Sequence, residues 1–142
     1  MIRAVFPALL CLPLQAVAAP IEQTETPEPI HATLAAEAQK TGEIFDSVRG
    51  WPMDLENDGT LEWMVQAAYA FPGGNAVYVR TYFFDGPDAG FTPWYDAGFD
   101  RSIKSVDKEG TAINLTLYEL LDGDPRCCPS GEIPHRFDII LP

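Results

Sequence analysis

Cysteine and histidine are scarce in this 142-residue chain, with three of the first and two of the second. That scarcity removes most metal-centred and nucleophilic chemistry. There is no H-E-x-x-H pair for a zinc hydrolase and no G-x-S-x-G turn to present a serine nucleophile. Paired cysteines two to four residues apart, the usual spacing of structural zinc sites, are also missing. Basic residues number nine against 21 Asp and Glu, a net charge of −12. Such a surface repels phosphate backbones and anionic headgroups, which argues against nucleic acid and membrane surfaces as partners. A protein, or a small neutral or cationic ligand, fits the charge better. No apolar run approaches the roughly 20 residues of a spanning helix. The longest, residues 4–14, has eleven residues and contains Pro7 and Pro13.

That run has the form of an export leader. Arg3 supplies a positive start, and Ala16-Val17-Ala18 offers the small-x-small pattern that signal peptidase reads. Cleavage is expected after Ala18, since a cut after Ala19 would put Pro20 directly behind the scissile bond. Cys11 follows Ala8-Leu9-Leu10 and lacks the small residue expected before a lipidated cysteine. Residues 1–18 are therefore read as a signal peptide. The product is expected to be periplasmic or secreted, without membrane insertion after cleavage. Losing Arg3 takes the net charge from −12 to −13. The remaining 124 residues suffice for one domain with a real core.

Residues 19–30 carry three prolines and three glutamates and read as an extended, solvated lead segment before a single globular domain over residues 31–142. Leu34, Ala38, Phe45 and Val48 fall on one helical stripe, which predicts a helix over residues 31–49 ended by Gly50 and Pro52. Gly42 inside that pattern costs about 1 kcal/mol relative to Ala. The rest of the chain reads as strands. Residues 62–71 are apolar-rich, and Pro72-Gly73-Gly74-Asn75 is a turn by composition. Residues 76–84 alternate, with Val77, Val79, Thr81 and Phe83 on one face and Tyr78, Arg80, Tyr82 and Phe84 on the other. Residues 91–99, 102–106, 111–121 and 136–141 follow as further strands. Short strands joined by tight turns make an antiparallel meander, since parallel pairs need long crossovers. The expected fold is α+β: one N-terminal helix packed on a meander of about five strands, with a small barrel or sandwich as the alternative.

Two places carry chemistry. Asp54, Glu56, Asp58, Thr60 and Glu62 put oxygen-bearing side chains at alternate positions of a loop that turns at Gly59. A structural Ca²⁺ needs such convergent oxygens. The competing reading is an Asx-rich turn that reverses the chain before a strand. Against an EF-hand, the twelfth position is Val65 in place of a bidentate Glu. The second place is Cys127-Cys128-Pro129. In an oxidising compartment neighbouring thiols seldom stay free, so a Cys127–Cys128 disulfide is expected. Such a bond closes no loop of consequence and adds little stability by restraining the unfolded chain. It suits a local staple for residues 124–131, or a ligand-facing or redox pair. With His135 the two sulfurs could also hold a soft ion such as Cu(I), though His135 reads as a surface residue at the start of the last strand. Trp63, Tyr78, Tyr82, Phe84, Trp94, Tyr95 and Tyr118 sit at alternating strand positions, where aromatics serve a core more often than a ligand.

The D-x-x-x-D-G turn entering a strand, the pair Gly73-Gly74, the aromatic strands and the late Gly123-Asp124-Pro125-Arg126-Cys127-Cys128-Pro129-Ser130 block together carry a resemblance. From about residue 51 to residue 141 the chain resembles small exported bacterial proteins related to the LppP/LprE-type lipoproteins. The resemblance implies bacterial export and a mostly antiparallel sheet, and it implies no activity. It departs from the lipoproteins by lacking a lipidation cysteine at the cut site. The function expected is that of a non-catalytic binding or interaction module of the bacterial envelope. A thiol-redox or soft-metal protein using Cys127 and Cys128 is the alternative.

Overall fold

The computed structural model describes residues 18–139. The leader expected over residues 1–18 lies outside them, apart from Ala18. One helix, α1 (Glu28–Thr41), precedes seven strands: β1 (Ile44–Met53), β2 (Glu62–Ala70), β3 (Val77–Phe84), β4 (Pro93–Asp96), β5 (Ile103–Glu109), β6 (Ala112–Glu119) and β7 (Gly131–Asp138). They form two antiparallel meanders, β1-β2-β3-β4 and β5-β6-β7. The α+β architecture is as expected. The strand count is seven instead of about five, and among the described residues no barrel closes.

Helix α1 begins with Pro29 in its first turn, where the missing N–H costs nothing. It ends at Gly42, whose φ of 75° lets Glu43 N–H reach back to the Ala38 carbonyl at 2.9 Å. Gly42 is thus the helix stop and not an interior cost. The expected helix to residue 49 is wrong beyond that point: Phe45 and Val48 belong to β1. They matched the helical stripe because α1 and, on either side of a bulge, Phe45 and Val48 of β1 lie against one apolar layer. Gly50 and Pro52, read as terminators, sit inside β1. A Cβ at Gly50 would meet Thr26 Oγ1 at 2.7 Å and the Trp63 ring at 3.0 Å, so glycine is needed there for close packing. Pro52 is tolerated because β1 is an edge strand.

The layers follow from strand alternation. Val65, Ala67 and Tyr69 of β2, with Phe84 of β3, face Ile30, Leu34 and Ala38 of α1. Burying Ile30 and Leu34 there stabilises by about 1.5–3 kcal/mol each. The opposite face of the same sheet presents Trp51, Met64 and Phe83 to Ile103, Val106, Ile113, Leu115 and Leu117 of the second sheet. The order is helix, four-stranded sheet, three-stranded sheet. The two expected faces of β3 are therefore the two that the layers use.

The lead segment is less solvated than its composition suggested. Ile21 N–H donates to the Val106 carbonyl at 2.7 Å, and Thr24 N–H to the Gly50 carbonyl at 3.0 Å. Ile21 packs on the intersheet core, while Thr26 and Ile30 are buried. The segment clasps the outer edges of β5 and β1, which sequence polarity could not reveal. Its glutamates stay in water. The last strand begins at Gly131, five residues before the expected start, because Pro134 is admissible on the edge strand β7. No helix among the described residues is long and apolar enough to cross a membrane.

Candidate functional site

The cysteine block is the connection between β6 and β7, and one carboxylate holds it. Asp124 Oδ2 accepts N–H bonds from Leu121 at 2.9 Å and Ser130 at 2.8 Å, and its Oδ1 accepts the Ser130 hydroxyl at 2.8 Å. The two ends of the loop are thereby tied to one side chain. The Leu121 and Ser130 backbone bonds hold the Asp124 carboxyl below its ordinary range. Cys128 N–H adds a turn bond to the Pro125 carbonyl at 2.9 Å. Leu121 lies over Gly131, where a Cβ would come within 2.8 Å of its side chain. Cys127 and Cys128 are joined as a vicinal disulfide, and both are exposed. Sequence reading named the cysteines and missed Asp124, although an Asp six residues before Ser130 across a tight loop is the pattern of an Asx-type staple.

This loop forms one wall of an open groove of about 940 Å³. The facing wall is the start of β3, with Val77 and Val79. Tyr118 and Leu120 from the end of β6 lie between them. Val77 is 58% exposed and Leu120 54%, so the groove carries apolar surface that the fold itself does not cover. Its outer β3 edge is open as well. Strand β4 pairs only with Tyr82, Phe83 and Phe84, and the Thr81 carbonyl accepts the Ala97 N–H at 2.9 Å. By the period of two, Val77 and Val79 turn their N–H and C=O groups the same way as Thr81, and no strand among the described residues meets them there. Of the edge strands, β1 is met by Thr24, β5 by Ile21, and β7 carries Pro134.

Charge in the groove is largely consumed internally. Arg101 is paired with Glu119 at 3.0 Å, whereas Asp100, also lining the groove, has no side-chain partner among the described residues. Of the basic side chains among the described residues, Arg126 alone makes neither an ion pair nor a hydrogen bond to protein; the other seven each have an acceptor. Arg126 lines the groove beside Cys127.

The Asp54–Glu62 loop is held by bonds from its own backbone. Asp54 accepts the Asp58 N–H at 3.0 Å and the Gly59 N–H at 2.8 Å, and Asp58 accepts the Thr60 N–H at 2.7 Å. Glu62 is buried and accepts the Leu55 N–H at 2.7 Å. Burial raises the Asp54 pKa, but bonds from Gly59, Asp58 and Asn57 and the Lys108 charge outweigh it and leave it lowered. Burial pushes Glu62 the other way, up. Lys108 Nζ donates to Asn57 Oδ1 at 2.7 Å and ties the loop to β5. Glu56 is exposed and takes no part in these bonds. Among the described residues no group of three or more His, Cys, Asp or Glu is disposed to hold a metal, and this covers Cys127, Cys128 and His135 too. The loop's own N–H groups satisfy part of the Asp54, Asp58 and Glu62 carboxylates, as an Asx-rich turn requires. His135 lies inside β7 and stacks near Phe99, with ring centroids 5.5 Å apart.

Of the seven aromatics singled out, Phe84 is fully buried, Tyr95 is half-exposed, and Trp63, Tyr78, Tyr82, Trp94 and Tyr118 are partly buried. Two of them line the β3–cysteine groove, Tyr118 at the end of β6 and Tyr78 from β3. Comparison with known protein families, curated proteins and solved structures gives no match.

Proposed function

We propose that this chain is an exported, non-catalytic binding module of the bacterial envelope, and that its binding site is the groove between the start of β3 and the cysteine loop. The observation that carries the reading is the coincidence of three features in one place. They are uncovered apolar side chains, a strand edge without a partner, and a loop pinned at both ends by Asp124. A pinned wall loses little entropy on binding, which favours recognition. The export pattern at residues 1–18 and the vicinal disulfide fit an oxidising compartment. The test is a photo-cross-linking residue placed at Val77 or Leu120 in exporting cells, with Glu37 on the outer face of α1 as control. Adducts from the groove positions alone support the reading; equal labelling from all three removes it.

A second reading is favoured by the exposure of Cys127 and Cys128, which leaves the disulfide open to attack by a thiol. In it the pair is a thiol-redox or soft-metal group. The double variant Cys127→Ser, Cys128→Ser separates the two. A binding module keeps its groove adducts, whereas a redox or metal protein loses its electron or metal uptake while keeping its fold.

A further inference from the structure

The geometry points to the chemistry of the partner: an extended segment of another protein that adds as a strand to the free edge of β3, places apolar side chains at alternate positions, and sets one acidic side chain against Arg126. This rests on the binding-module reading above and specifies the occupant of the same groove.

The unpaired backbone dictates the extended form. Val77 and Val79 offer two N–H and two C=O groups along one edge, spaced as another strand would meet them. A helix has no free backbone groups to give them, and a small ligand could satisfy one or two. The side chains dictate the alternation. Val77 and Leu120 are more than half exposed beside that edge, so every second residue of an added strand meets an apolar surface. Arg126 dictates the charge. Among the described residues it has no protein acceptor: Glu119 is held by Arg101, and Asp100, which lines the same groove, makes no pair with it. The Asp124 carboxylate, two residues away, is spent on Leu121 and Ser130. A carboxylate from outside is the acceptor that fits a guanidinium left in this state. The remainder of the segment is neutral or basic, since the chain carries −12. That same charge disfavours a second copy of this chain as the occupant.

The test pans randomised nine-residue linear peptides against protein recovered from cells expressing the full 142-residue chain. The expected binders alternate apolar residues and carry one Asp or Glu. N-methylation of the peptide at every second residue separates its two edges: methyl groups on the edge facing β3 weaken binding about tenfold or more, and those on the other edge leave it unchanged. This probe leaves the protein untouched and so does not depend on a variant folding. In the protein, Val79→Pro removes one edge donor at a position where proline is admissible, and weakens binding about fivefold. Arg126→Gln weakens it about tenfold, and the loss vanishes when the peptide's acid is replaced by its amide. Binders that perturb Tyr118 and Leu120 but ignore edge-specific methylation overturn strand addition and leave the binding module standing. No binders, together with no adducts from Val77 or Leu120 in cells, overturn both. A concentration-dependent dimer that Val79→Pro dissolves overturns the foreign partner in favour of a second copy.

Discussion

The side-chain amide of Gln66 faces the start of β5 at Ile103 as a neighbouring strand would. Its Oε1 accepts the Ile103 N–H at 3.0 Å, and its Nε2 donates to the Arg101 carbonyl at 3.0 Å. The same Nε2 donates to Thr81 Oγ1 at 3.0 Å, and Arg49 donates to Oε1 at 2.7 Å and to the Ile103 carbonyl at 2.9 Å. Gln66 and Thr81 are buried, and this network ties the two sheets together through their shared core. Burial lowers the Arg49 pKa, and among the described residues no carboxylate pairs with it, so the amide and carbonyl oxygens and the face of Trp51, 5.3 Å away, support its charge.

Gln66→Leu should therefore destabilise the fold by about 2–4 kcal/mol, because it strands an N–H, a carbonyl and part of a guanidinium in the core. Denaturant unfolding measures this. A loss under about 1 kcal/mol would show that water reaches the network and replaces the amide.

Tyr69 has the opposite relation to the core. Its ring is buried between α1 and the first sheet, and its hydroxyl finds no hydrogen-bond partner. Burial pushes its pKa up. Tyr69→Phe removes an unsatisfied group and keeps the ring, so stability should stay level or rise by up to about 1 kcal/mol. A fall of 1 kcal/mol or more on thermal unfolding would show that the hydroxyl has a partner in solution.

The Asp124 staple makes the cysteine loop acid-sensitive. Its carboxyl is held below the ordinary aspartate value of 3.8 by N–H bonds that exist only in the folded loop. The stabilisation is therefore full above that value and is lost as pH falls through the lower folded pKa. Amide exchange at Leu121 and Ser130 should accelerate there in the native protein. In Asp124→Asn it should already be faster at pH 7 and lack that acid-dependent step.

Eleven positions earlier in the four-stranded sheet's first hairpin than its end at Ala70, the Gly59 turn closes on its own carboxylates. Its thermal midpoint should be the same in EDTA and in millimolar Ca²⁺, and Asp54→Ala should lower it through loss of the two N–H bonds. A rise of several degrees with Ca²⁺ alone would favour the cation reading of Asp54, Glu56, Asp58, Thr60 and Glu62 over the Asx-rich turn.

Local pattern was informative where one rule acted alone. Alternation located β3 and its two faces, and the Gly-rich turns bounded β2, β5 and β6. It misled at residues 44–53, where Phe45 and Val48 pack on the same layer as α1 and so continue its stripe, and Gly42 looked interior. The cap at Gly42 depends on a φ of 75°, which composition does not display. Gly50, Pro52 and Pro134 are admissible in strands only because of what lies over them or because their strand is an edge, both tertiary facts. For the site, Cys127 and Cys128 were legible from adjacency. The groove was not, because Val77 and Leu120 are 43 positions apart and meet only once both sheets are in place. Gln66 did leave a trace, as the one uncharged polar residue in an otherwise apolar stretch of β2.

The most direct measurement is residue-resolved amide exchange on β3 of the free native protein. Phe83 and Val79 turn toward the same edge, but β4 covers only Phe83. Exchange at Val79 should be faster by several orders of magnitude, and should slow toward that of Phe83 when a groove-bound partner is added. Equal, strong protection at both residues without any partner would mean the edge is already covered, and the groove would cease to be a binding site.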